Sequence, residues 1–321
     1  MVGMNDFTPA STVVVLGSDR SSHPQTVSPE VSSYLKASLA DNTRRAYRSD
    51  LDQFLLWGGA VPASPELVAD YLAAHAGQHA PATLARRLVT IGRVHAAQGF
   101  QSPTGTELVK ATLRGIRRTH GSAQRQVAPA IKEDVLAMVA NLEGIKGIRD
   151  RALLLIGFAG AFRRSELVSL TVADIEQAKQ GLIIQLRFSK TDQAGEGRKV
   201  AIPYARGAVC PVIALQQWIT AAGITEGPIF RGVNRHGVIA ETALTPQAVA
   251  LVVKERAQAV GLDSAKYAGH SLRAGLVTSA AQLGVSSWKI RQQTGHRSDA
   301  MLIRYIRDSQ IFVDNAAGAI L

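Results

Sequence analysis

At 321 residues the chain is long enough for two domains of ordinary size, and 46% apolar content with a mean hydropathy near zero reads as a soluble globular protein rather than a membrane or disordered one. The net charge of +11 is spread along the chain, with 12 Lys/Arg against 7 Asp/Glu over residues 28–126 and 23 against 16 over 127–321, which suits a polyanionic partner because each phosphate neutralised releases counterions. A single cysteine, Cys210, excludes a disulfide framework, a CxxC redox pair and a thiolate metal cluster, and fits a reducing cytoplasm.

Residues 1–27 are rich in Ser, Thr, Pro and Gly, without a sustained period, and are expected to form a mobile lead. Their apolar run, Val13–Leu16, is far too short for a signal core, and no stretch approaches a membrane span. A helical period begins near residue 28. NTRRAYRSDLDQFLLWG at 42–58 opens near a capping Asp41 or Asn42 and stops at Gly58, with Tyr47, Leu51, Phe54 and Leu55 on one stripe and Arg44, Arg45 and Arg48 on another face. Ser64 as cap and Pro65 at the first helical position start another helix. Pro81–Ala97 and Thr106–Arg118 read as two more, so residues 28–121 form a bundle of four or five helices without strands. The Gly/Ser/Gln-rich stretch that follows makes 122–128 a linker, with a second domain over 129–321.

In the second domain Ile131–Leu142 and Ile148–Phe162 read as helices, the latter apolar enough to be central to a core. The period then changes to two: Ile184, Leu186 and Phe188 alternate with Gln185 and Arg187, DQAGEG makes the turn, and Arg198–Ile202 returns. Helical patterns resume at 211–221 and at 245–260, where Thr245 caps, Pro246 starts and Gly261 ends the helix. The expected fold is mainly α with a small antiparallel β-sheet, in two domains.

Chemistry concentrates in stretches far apart along the chain. AFRRSELVSL holds Arg163 and Arg164, with Glu166 one helical turn beyond Arg163, where a carboxylate can accept from a guanidinium and orient it. LRFSKTDQAGEGRKVAIP puts Lys190 where the strand enters its turn and Lys199 on the return strand. GHSLRAG at 269–275 puts His270 and Arg273 one turn apart on a helix that Leu272, Leu276, Ala280 and Leu283 pin to the core and Gly284 ends. TGHRSDAMLIRYIR at 294–307 puts His296 in the turn after Gly295, before a helix capped by Ser298. That helix carries Tyr305, flanked by Arg304 and Arg307.

These groups suit transfer of a phosphodiester, which is mainly an electrostatic problem: the non-bridging oxygens gain charge while nucleophile and leaving oxygen stand in line. Arginine is always charged and forks two N–H donors onto phosphate oxygens. Each well-placed donor contributes on the order of 10²–10³ in rate. An unperturbed phenol, with a pKa of about 10, attacks poorly at neutral pH unless cations or a base assist it. Singly, each stretch has an ordinary structural reading: a surface ion pair, a capping histidine, a solvated lysine, a buried tyrosine with Met301 and Leu302 behind it.

Taken together, the ordered series of Arg163, Lys190, His270-x-x-Arg273, His296 and Tyr305 resembles the tyrosine recombinase (phage integrase) family over most of the chain. The family pattern of Arg, any residue, a small residue and Glu selects Arg163 for the first catalytic role, oriented by Glu166, and leaves Arg164 to face DNA. The resemblance implies Arg273 as second phosphate clamp, His270 as donor to a non-bridging oxygen or acceptor of the tyrosine proton, and His296 on the phosphate. It gives Lys190 the general-acid role, with Lys199 as rival, and makes Tyr305 the nucleophile. The helical unit then corresponds to a SAM-like core-binding domain and 129–321 to a mixed α+β catalytic domain. Arg44, Arg45, Arg48, Arg86, Arg87, Arg117 and Arg118 are expected DNA contacts. The family also implies double-stranded DNA sites, four protomers on two of them, residues 308–321 docking on a neighbour, and no need of ATP, metal or other cofactor. Ala161 and Phe162 stand where the family often has Gly-Leu, and the tail after Tyr305 is short. A type IB topoisomerase and a DNA-binding protein that does not cut are the alternatives.

Overall fold

The computed structural model describes residues 28–122, 127–187, 197–205, 209–296, 298–299 and 302. The chain divides into two units, Met1–Arg125 and Gln126–Leu321. In the first, the described residues form helices α1 (Pro29–Ala37), α2 (Asp41–Leu56), α3 (Pro65–Ala74), α4 (Pro81–Ala97) and α5 (Glu107–His120). Ser64 caps α3 as expected, its hydroxyl accepting from the Leu67 amide at 3.2 Å. Helix α2 differs: its N-cap is Ala40, without a side-chain bond, and Asp41 is already helical.

Phe54, Tyr71, Leu72, Leu84, Ile91 and Val109 fill the core of this unit. Helix α5 buries Val109, Leu113 and Ile116, one face of a 3.6-residue period, and leaves Arg117 and Arg118 exposed. The stripe expected on α2 is narrower than its apolar residues: Leu55 is 46% exposed, whereas Asp50 is buried. Burial of that carboxylate is tolerable because α4 lays three partners against it. Arg86 donates to Asp50 Oδ2 at 2.5 Å, Thr90 donates to the same oxygen at 3.2 Å, and Arg87 Nε lies 3.9 Å from Oδ1.

The second unit contains α6 (Lys132–Ala140), α7 (Gly144–Ala159), α8 (Arg164–Ser169), β1 (Ile175–Ala178), β2 (Gly181–Leu186), β3 (Arg198–Pro203), α9 (Pro211–Ala221), β4 (Arg231–Val233), β5 (Ile239–Ala243), α10 (Pro246–Ala259), α11 (Ser271–Gln282) and α12 (Ser287–Thr294). Helix α7 is central, packed by α6, α9, α10 and α11. It begins earlier than expected because its polar first turns are neutralised: buried Asp150 accepts from Arg149 Nε at 2.8 Å and from Arg256 Nε of α10 at 2.9 Å. Strands β1, β2 and β3 form an antiparallel sheet in that order, with Gln185 opposite Lys199 and Leu186 opposite Arg198. Strand β1 and the β4–β5 hairpin escape a periodicity reading, being short and half-exposed or exposed throughout. No described helix is long and apolar enough to cross a membrane.

Candidate active site

Helix α7 ends at Ala159, and the three-residue bend before Arg163 sets the first part of the site. Ala161 has φ +49°, a left-handed conformation that costs an L-residue about 1–2 kcal/mol. The bend turns its carbonyl onto Arg273 Nη1, which donates at 2.8 Å. Arg163 is the N-cap of α8; its backbone N–H donates to Glu166 Oε2 at 2.9 Å and its Nη1 donates to Oε1. A carboxylate only 2% exposed thus holds both the main chain and the guanidinium of Arg163, the orienting arrangement expected from RxSE.

Helix α11 supplies the second part. Leu272, Ala274, Val277 and Ala281 anchor it, whereas Leu283, expected in that stripe, is the C-cap residue and 78% exposed. The glycines of GHSLRAG have separate steric reasons. A Cβ on Gly275 would stand 1.7 Å from the Ala130 carbonyl oxygen, and one on Gly269 would stand 2.0 Å from Arg164 Cδ. Gly275 therefore lets the chain at 128–130 run against α11, where Ala128 N–H donates to the Lys266 carbonyl at 2.7 Å and Ala130 N–H to that of Ser271 at 2.9 Å. Gly269 lets the Arg164 stem lie beside His270. Arg164 thus belongs to the rim of the site and is exposed.

His270 is the N-cap residue of α11 and is exposed at the mouth of the site. Its imidazole pKa lies below the ordinary histidine value because of the protein mass around it, then Arg273, Arg163 and Arg164. Arg273 is buried, and its Nη1 donates to the carbonyls of both Ala161 and Thr294, the latter at 2.7 Å. Nearby Tyr267 donates to Asp134 Oδ2 at 3.1 Å, and burial together with that carboxylate pushes its phenol up to about 12. Tyr267 is a structural tyrosine, not a nucleophile.

Helix α12 brings in the third part. Gly295, in the left-handed region, closes it and His296 follows, buried. Thr294 Oγ1 stands 2.8 Å from the Ile290 carbonyl and 2.7 Å from His296 Nδ1; its single proton serves one of the two, and that choice sets which imidazole nitrogen of His296 carries the proton. Burial first, then Arg273, Arg163, His270 and Arg198, lowers the His296 pKa to about 3, so it is neutral in the folded protein.

Arg163, Glu166, His270, Arg273 and His296 are therefore brought together from three parts of the chain. Lys190, Tyr305 and the segment 308–321 lie outside the described residues. Lys199 is described and exposed, on β3 between buried-face neighbours Arg198 and Val200; alternation turns it to the opposite side of the sheet from Arg198. Arg198 was missed by sequence reasoning. Its Nη1 donates to the Gln293 carbonyl at 2.8 Å and its Nη2 lies 3.8 Å from Glu166 Oε2.

Among the expected DNA contacts, Arg87 is a correction. It is 6% exposed, donates to Tyr71 OH at 2.7 Å and stands 3.3 Å from His79 Nε2, so it holds the first unit together instead of meeting phosphate. Arg86 is half-exposed but paired with Asp50. Arg44, Arg45, Arg48, Arg117 and Arg118 are on the surface, Arg44 paired with Asp41 and Arg45 donating to Asn42.

Residues 131–310 match the model of the phage integrase family. An integrase/recombinase xerD homolog of Selenomonas ruminantium is 42% identical over 293 residues, covering 88% of this chain and 86% of the relative. Recombinase cre of Escherichia phage P1 is 25% identical over 281 residues, covering 81% of this chain and 79% of the relative. Among solved structures, a lambda integrase tetramer bound to a Holliday junction superposes with a TM-score of 0.61 at 18% identity, covering 88% of this chain and 77% of that one.

Proposed function

The chain belongs to the phage integrase family, and we propose that it cuts and rejoins DNA at specific sites with Tyr305 as nucleophile. The phenol oxygen attacks the scissile phosphorus and the bond from phosphorus to the 5′-oxygen breaks, leaving a 3′-phosphotyrosyl link. Arg163 and Arg273 face the charge that grows on the non-bridging oxygens. Both are held by protein acceptors before substrate arrives, so no reorganisation is needed in the transition state.

His270, neutral among the arginines, takes the phenol proton. Lys190 gives a proton to the departing 5′-oxygen; the outward side of Lys199 supports that choice. His296 stays neutral, and in the tautomer with its proton on Nε2, Thr294 donating to Nδ1, it donates to a non-bridging oxygen. A 5′-hydroxyl then attacks the link and returns the tyrosine. Bond energy is kept in the covalent intermediate, so the exchange needs no external energy source. Surface arginines of the first unit, Arg44, Arg45, Arg48, Arg117 and Arg118, supply backbone contacts. The working assembly is four protomers on two DNA sites, a reading that the lambda integrase tetramer bound to a Holliday junction supports; docking of 308–321 on a neighbour is part of the same proposal.

The observation that carries this reading is the convergence of three parts of the chain: Glu166 holds the Arg163 guanidinium, and Arg273 donates to the carbonyls of Ala161 and of Thr294, two residues before His296. Tyr305→Phe should bind its duplex normally yet leave no SDS-resistant protein–DNA adduct on a suicide substrate. An adduct formed by that variant would move the nucleophile elsewhere.

A further inference from the structure

Helix α12 ends beside the reacting centre, and its last carbonyls have no partner within the helix. Two successive ones are met by arginines from different elements: Thr294 by Arg273 of α11, and Gln293 by Arg198 of β3. A guanidinium at a helix C-terminus is favoured by the macrodipole as well as by the hydrogen bond. Arg198 also reaches sideways, its Nη2 standing 3.8 Å from Glu166 Oε2, the oxygen that accepts from the Arg163 backbone. Nε and Nη2 are buried and meet no hydrogen-bond acceptor among the described residues, so the Glu166 carboxylate is the compensation within reach of that edge. One side chain thereby bridges the edge strand, the Arg163–Glu166 pair and the turn that presents His296.

We propose that Arg198 is a positioning residue for DNA strand cleavage, locking the Glu166–Arg163 pair and the His296 turn in one arrangement. The inference deepens the recombinase reading and rests on it. Arg198 does not touch phosphate: its unbonded N–H groups are enclosed by protein. Its effect passes through Glu166 to Arg163, and through the end of α12 to His296. Loss of such a support shifts reacting groups by a fraction of an ångström to an ångström, a displacement that costs up to about 10²-fold in rate.

The test is a double-mutant cycle in the full chain, reading single-turnover cleavage of a suicide duplex and, separately, affinity for the uncut duplex. Arg198→Ala should cut about 10²-fold more slowly with affinity within about threefold of the parent. In a Glu166→Gln background the same change should cost less than about tenfold, because residues that act as a unit are not additive. Arg198→Lys, which keeps the charge but not the fork, should resemble the alanine variant and carries the test if alanine at 198 prevents folding. Undiminished cleavage by the variants, or an equal slowing with and without Glu166, would overturn the proposal. Failure of the parent chain to form any covalent adduct would instead strike the recombinase reading.

Discussion

His296 reports how fully the protein encloses the site and, after that, how strongly it is charged before DNA arrives. Its pKa is about 3 in the folded chain, against an ordinary value of 6.5. The depressed value means that the unfolded chain binds a proton that the folded chain refuses, so stability is full above pH 6.5 and falls as pH drops toward 3. At pH 5 the unfolded imidazole is almost wholly protonated and the folded one is not. The difference is about 1.5 pH units, or roughly 2 kcal/mol at 1.36 kcal/mol per unit. Urea unfolding of the parent and of His296→Asn at pH 7 and pH 5 should therefore show the parent losing about 2 kcal/mol more than the variant. A ring-proton titration of His296 by NMR should find no midpoint between pH 5 and 8. Equal losses in the two proteins, or a midpoint near 6.5, would refute the enclosed cationic site drawn here.

Gly275→Ala should destabilise the second unit by about 3 kcal/mol or unfold it, because the methyl group meets the Ala130 backbone instead of a side chain that can turn away; thermal melting decides. The arginines of the first unit should separate into two behaviours. Arg87→Ala should cost about 3 kcal/mol of stability by removing a buried partner of Asp50 and Tyr71, while the exposed Arg117→Ala and Arg118→Ala should leave melting unchanged. Each of the exposed pair should reduce the slope of log affinity against log salt by about 1 if it meets a phosphate; an unchanged slope would remove that residue from the footprint.

What could be read from the residues alone was set by neighbours within a few positions. Ser64-Pro65 and Thr245-Pro246 start helices because a hydroxyl satisfies an end N–H and proline is already bent for the first turn. Strand β2 alternates because one of its faces is buried, and Glu166 finds Arg163 because three residues make a helical turn. The ordered series from Arg163 to Tyr305 carried the family for the same reason: each member lies in a short, chemically unusual string. Tertiary structure decided what distance in sequence conceals. Arg87 and Arg117 look alike in the chain, yet one is enclosed because α4 packs its polar edge on a buried carboxylate and the other stays in water. Arg198 resembles any hairpin arginine until β3 lies against α12, 95 positions away. Helix caps and strand periods depend on local hydrogen bonds and can be written in a few residues; which cations share one field depends on how the apolar faces behind them close, and that is settled only when the whole core is packed.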